Sequence, residues 1–145
     1  MRTINNQRIV LAERPVGEPK HSDFRIEQVE LSQLKQGEML LKTIYLSLDP
    51  YMRGRMSDAP SYAAPVEIGE VMVGGTVSQV VASKNPKFKE GEWVLSGNGW
   101  QGYAISDGTA CQSLGMQPEY PSWALGILGM PGFTAVSYTH LTLPT

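Results

Sequence analysis

Cysteine is almost missing from this 145-residue chain: Cys111 stands alone, and histidine occurs only as His21 and His140. A single thiol cannot form an internal disulfide, and it cannot build a four-cysteine zinc lobe. No cluster of His, Cys and Asp falls at metal-ligand spacing. Charge of either sign is also in short supply: 18% of residues are charged and the net charge is −2. That balance excludes a global basic field for nucleic acid or an anionic membrane. Arg53 and Arg55 lie close together, but Asp49 and Asp58 flank them, so they read as a solvated or salt-bridged pair. No apolar run approaches the roughly 18 residues of a membrane span. Met1 to Val10 lacks the apolar core of a signal peptide, so a reducing cytoplasm is the expected compartment. Gly69 and Gly74-Gly75 precede a strand rather than a helix, unlike a phosphate loop.

Turn-forming residues are abundant. Fifteen glycines and ten prolines exceed the average share of about 12% of residues. With 41% hydrophobic residues, this composition predicts a folded domain of short strands joined by loops. Strands are expected over Arg8–Glu13, Phe24–Leu31, Met39–Leu46, Val71–Val81 with Gly74-Gly75 inside it, and Trp100–Ile105, while Phe88–Leu95 reads as a tight turn at Glu90-Gly91-Glu92 feeding a strand at Trp93-Val94-Leu95. In Phe24–Leu31 the apolar phase shifts from Phe24 and Ile26 to Val29 and Leu31, the signature of a bulge or a strand end. Met39–Leu46 is apolar on both faces and is expected to be central. Pro50 predicts a helical turn to Arg55, and Pro121 a helix reaching Leu128, stopped by Gly129, with Pro131 opening another. The reading is a mostly antiparallel β domain that passes into helical structure.

His21 sits in a polar loop and reads as a surface residue. The stretch Tyr45-Leu-Ser-Leu-Asp-Pro-Tyr-Met-Arg53 leaves a strand and places a carboxylate, a phenol, an arginine and a methionine at a strand-to-loop junction, where functional groups concentrate. Two readings stand side by side. Tyr51 and Met52 pack while Asp49 caps the turn, or the phenol serves a developing oxyanion.

The same stretch resembles the hallmark of the zinc-independent double-bond reductases of the medium-chain dehydrogenase/reductase superfamily, which includes leukotriene/prostaglandin reductases, plant alkenal reductases and bacterial curcumin reductases. The run through Gly54-Arg-Met-Ser-Asp58 and Pro60-Ser-Tyr62 is most similar to the bacterial curcumin-reducing branch. Val71-Met-Val-Gly-Gly-Thr-Val77, Trp100-Gln101 and Leu128-Gly-Met-Pro-Gly-Phe-Thr-Ala135 match in the family's order. The resemblance implies a mainly β, GroES-like barrel catalytic domain (residues 1–120), the start of a helical connection (121–135), and a Rossmann domain that is missing. It implies NADPH as cofactor, held mainly by that missing domain, and a small-molecule enone as substrate, with Tyr51 catalytic. Tyr51, Met52 and Met130 would border the substrate, and Met130 and Thr134 the nicotinamide. Asp49 falls near a cysteine ligand of zinc-dependent relatives and Gly75 at a histidine ligand, so no zinc is expected. A homodimer is expected for the full-length protein, with no nucleic acid or membrane partner. The alternatives are a quinone oxidoreductase of the same superfamily and a non-catalytic GroES-like binding module.

From Val136 to Thr145 the resemblance ends. That tail is similar to an in-frame translation of a sequencing adapter, so residues 136–145 are set aside from fold reasoning and His140 is not a candidate. A native C-terminal strand is the alternative. On this reading the 145-residue chain by itself is inactive.

Overall fold

The first two strands, β1 (Ile4–Leu11) and β2 (Phe24–Leu31), form an antiparallel hairpin of eight successive pairs, from Ile4 opposite Leu31 to Leu11 opposite Phe24. A computed structural model describes the backbone of residues 3–140 and the side chains of residues 3–136. The hairpin corrects two expectations. β1 begins at Ile4, not Arg8, because the polar Asn6 is fully buried with its own partners. Its Nδ2 donates to Gln101 Oε1 at 3.0 Å, and its Oδ1 accepts from the Tyr103 backbone N–H at 2.8 Å. Nor does β2 contain a bulge: its register against β1 is unbroken, and Ile26 is simply turned outward, 62% exposed.

The remaining strands build a five-stranded antiparallel sheet. They are β3 (Met39–Leu46), β4 (Thr76–Ser83), β5 (Trp93–Ser96), β6 (Tyr103–Ser106) and β7 (Gln112–Gly115), in the order β6-β3-β4-β5-β7. β3 is internal, as its apolar run predicts. Only its first half is deeply buried, however: Met39, Leu40 and Leu41 are in the core, while Ile44, Tyr45 and Leu46 are partly exposed at the end that leads to the candidate site. β4 starts after Gly74-Gly75 instead of running through them. A Cβ at Gly74 would lie 2.9 Å from Leu46 Cδ1 and 3.2 Å from both Met52 Cε and Trp100 Cδ1, so the glycine marks a close approach. β6 likewise starts at Tyr103, with Trp100 and Gln101 in the preceding turn.

The hairpin is tied to the sheet by Ile9 N–H to Trp100 O, Gly102 N–H to Gln7 O and Met72 N–H to Ile9 O. Two apolar clusters fill the interior. Met39, Leu41, Val80, Phe88 and Val94 form one. Leu11, Met56, Val66 and Met72 form the other, with Phe24 and Trp100 stacked against it at 5.5 Å between ring centroids.

Beyond β7 the chain turns helical. Pro121–Leu125 is a short 3-10 helix, less than the helix to Leu128 that the sequence predicts, and its last N–H bond is from Gly126 to Trp123 O. The helix opened by Pro131 is present and spans Met130–His140. It passes through residue 136 without a break, consistent with the lack of glycine or proline between Thr134 and Leu143. Residues 136–140 are therefore helix and not the alternative strand; Leu141–Thr145 lie outside the described residues.

Gly99 is a turn where backbone conformation and packing both demand glycine. Its φ is +74°, and a Cβ there would run into the Met72 carbonyl oxygen. Gly99→Ala is expected to cost about 3 kcal/mol, from left-handed strain plus that clash. Gly97→Ala, with open space around its Cβ, is expected to stay within about 0.5 kcal/mol. Urea unfolding midpoints of the two variants check this.

Candidate active site

The junction after β3 becomes a single helical turn, α1 (Tyr51–Arg55), with Pro50 (φ −57°) as its N-cap residue. Proline's fixed φ suits this entry. Asp49 O accepts from Met52 N–H at 3.1 Å and Pro50 O from Arg53 N–H at 3.2 Å. Five residues do not make a self-sustaining helix, so tertiary contacts must hold it. Met52 and Met56, one turn apart on one face, are 3% and 4% exposed and supply the apolar anchor. Arg53 and Arg14 supply hydrogen bonds described below.

Asp49, Pro50 and Tyr51 form one wall of an open groove of about 540 Å³. Met130, Pro131, Thr134 and Ala135, from the first turns of the C-terminal helix, α2 (Met130–His140), form the other. Three of the four residues singled out in the sequence, Tyr51, Met130 and Thr134, thus meet although some eighty positions separate Tyr51 from the others. Met52 is not among the lining residues. It packs behind the groove against Gly74, and its Sδ lies 3.5 Å from the Asp49 backbone N.

Within the groove, the Thr134 hydroxyl donates to Met130 O at 2.9 Å, so its proton is already committed. The half-buried Tyr51 phenol has no protein hydrogen-bond partner among the described residues. Its pKa is pushed up, first by burial and then by the Asp49 carboxylate, with Arg55 opposing and Tyr62 adding to the rise. The phenol therefore keeps its proton at neutral pH and brings an unspent donor to a groove whose other lining side chains are apolar, acidic (Asp49) or already bonded (Thr134).

Of the two readings of the flanking arginines, solvated or salt-bridged, the structure does not show the salt bridge among the described residues. Arg53 spends its guanidinium on backbone carbonyls, and Arg55 Nε is buried without a partner. Neither forms a salt bridge with Asp49 or Asp58 among the described residues. His21 is exposed, and Cys111 Sγ sits 3.4 Å from Ser106 Oγ, away from the groove. Among the described residues no three His, Cys, Asp or Glu side chains come together as a metal site. No helix there is long and apolar enough to cross a membrane.

Residues 7–114 match the family described as the N-terminal domain of oxidoreductase. The chain belongs to this family. Its fold is the mainly β, GroES-like one. The NADPH-dependent curcumin reductase of Escherichia coli (strain K12) is 58% identical over 130 residues, covering 90% of this chain and 38% of that protein. The NADP(+)-dependent 2-alkenal reductase of Nicotiana tabacum is 35% identical over 142 residues, covering 94% and 41%. The crystal structure of CurA in complex with NADPH from Vibrio vulnificus superposes with a TM-score of 0.86 at 61% identity, covering 90% of this chain and 39% of that one. This oxidoreductase N-terminal domain therefore spans about two fifths of the length of the relatives it matches.

Proposed function

We propose that this chain is the catalytic N-terminal part of an NADPH-dependent reductase of carbon–carbon double bonds conjugated to a carbonyl. The observation that carries the reading is the groove in which the unpartnered, protonated Tyr51 phenol faces the methionine and threonine of α2. The activities for which the relatives are named, curcumin and 2-alkenal reduction with NADP(H), agree with it.

The lining fits a flat apolar group better than a charged one. Met130, Pro131 and Ala135 offer no charge, and methionine adapts to varied shapes. Met130 and Thr134 would border the nicotinamide; the rest of the dinucleotide needs parts beyond this chain. When bound, NADPH would supply a hydride to the β-carbon; the π pair of the double bond then shifts to the bond between the α-carbon and the carbonyl carbon, the carbonyl π pair moves onto oxygen as an enolate, and a proton taken up at the α-carbon completes the saturated product. Tyr51 donates a hydrogen bond to that oxygen as its charge grows. The bond strengthens towards the transition state, which is what lowers the barrier. Met52 acts from behind, holding the Tyr51 turn in the core. The chemistry assigned to these residues calls for no metal. Residues 136–145 lie outside this functional unit and are read as a non-native tail.

The test is a chimera in which residues 1–135 replace the matching part of the E. coli curcumin reductase. Oxidation of NADPH that depends on added curcumin or a 2-alkenal, followed at 340 nm, is the expected result. A folded chimera that leaves both substrates untouched, but reduces quinones, would move the reading to quinone reduction.

A further inference from the structure

Arg14 and Arg53 make a reciprocal bridge between α1 and the loop that follows β1. From the helix, Arg53 Nε donates to Gly17 O at 3.2 Å, and its Nη2 donates to Gly17 O at 3.0 Å and Pro15 O at 3.2 Å. From the loop side, Arg14 Nη1 donates to Met56 O at 3.0 Å and Val66 O at 3.1 Å. Each arginine thus seizes backbone carbonyls of the segment that carries the other. The carboxylates near Arg14, Asp58 and Glu67, stand 4.0 Å away on exposed side chains, so the carbonyl bonds are the closer and more directional contacts. Arg53 has no carboxylate partner among the described residues.

The two arginines finish what the helix cannot do alone. A single turn leaves its last carbonyls without intrahelical donors. Arg53 O and Gly54 O accept from Met56 and Ser57 N–H, Arg55 O accepts from Val66 N–H at 2.7 Å, and Met56 O is left to Arg14. The loop that Arg53 grips is stiffened by Pro15 and Pro19 and is otherwise exposed. A guanidinium can reach two carbonyls from Nε and Nη2 at once because its donors form a rigid fork; an ammonium is a single point and cannot.

We propose that the Arg14–Arg53 clamp positions Tyr51 at the groove, by locking the α1 turn to the loop after β1. Both arginines are positioning residues, and the proposal rests on the assignment of Tyr51 to the substrate carbonyl made above. Displacement of a reacting group by about 1 Å can cost up to a hundredfold in rate. Loss of the fork is therefore expected to act on kcat.

Two measurements separate the clamp from the role of Tyr51. The first is amide hydrogen exchange, read by mass spectrometry, on the 145-residue chain. In Arg53→Met, the amides of Met52, Arg53, Met56 and Ser57 are expected to exchange at least about tenfold faster, with β3 and β4 unchanged and Arg53→Lys failing to restore protection. The second is kcat and KM of the chimera carrying Arg53→Met, where kcat is expected to fall at least about tenfold with KM nearly constant. Unchanged exchange around α1 would overturn the clamp whatever the kinetics. Faster exchange throughout β3 and β4 would overturn it too, by making Arg53 a general fold element. Faster exchange confined to α1 with parental kcat would support the clamp and overturn the catalytic assignment of Tyr51.

Discussion

Tyr51→Phe in the chimera is expected to lower kcat at least about tenfold, and up to the hundredfold typical of losing one oxyanion donor, with the melting temperature unchanged. The two halves of this prediction come from the same observation. The hydroxyl has no protein partner among the described residues, so removing it breaks no hydrogen bond of the fold. The ring that packs beside Asp49 and Pro50 is retained. What is lost is the donor, in a groove whose other lining side chains are apolar, acidic or already bonded. Because burial and the Asp49 charge hold the pKa above that of an ordinary phenol, the donor form persists through neutral pH and beyond the usual value of about 10. The parental rate is therefore expected to show no loss attributable to Tyr51 between pH 6 and 9 in a profile of kcat. A Phe variant working at the parental rate would make Tyr51 a wall of the pocket.

The 145-residue chain alone is expected to give no saturable heat on titration with NADPH at about 1 mM, a level at which even a binding free energy of about −4 kcal/mol would register. Dinucleotide sites of the Rossmann type place the pyrophosphate at a helix N-terminus fed by a parallel strand, at the edge of a parallel sheet. Every strand pair described here is antiparallel. The residues assigned to the nicotinamide under the proposed function, Met130 and Thr134, would meet at most one ring of a much larger molecule. Around them Ile127, Leu128 and Phe133 are 70%, 69% and 75% exposed, an apolar surface of the kind that another part of a polypeptide covers. The chimera is expected to bind NADPH, and calorimetry of the two proteins side by side measures the contribution of the curcumin-reductase segment joined on in the chimera. Saturable binding to the chain alone would contradict this.

How far the sequence foretold these features depended on how local their causes are. β2, β3 and α1 were readable because alternation, an apolar run and Asp49-Pro50 act over a few residues. The polar start of β1 was hidden, since Asn6 is buried only by virtue of Gln101 and Tyr103, nearly a hundred positions away. The glycines before β4 read as strand interior because the crowding that demands Gly74 comes from Leu46, Met52 and Trp100, on three other segments. For the site, the resemblance put Tyr51 and Met130 at the substrate and Thr134 with Met130 at the nicotinamide, and these three line one groove. Met52 was named with them because it is adjacent in the motif; helical geometry turns it the opposite way. Arg14 and Arg53 carried no signal of a clamp, because their partners are backbone carbonyls, which leave no trace in side-chain identity.

The central claim, that Tyr51 and the α2 residues serve reduction of a conjugated double bond, is tested most directly by following the hydride. The chimera is supplied with NADPH carrying deuterium at the transferred position and with a 2-alkenal, and the product is examined by NMR. The account predicts a saturated aldehyde with deuterium on the β-carbon and a solvent proton on the α-carbon. Deuterium on the carbonyl carbon of an unsaturated alcohol would contradict it.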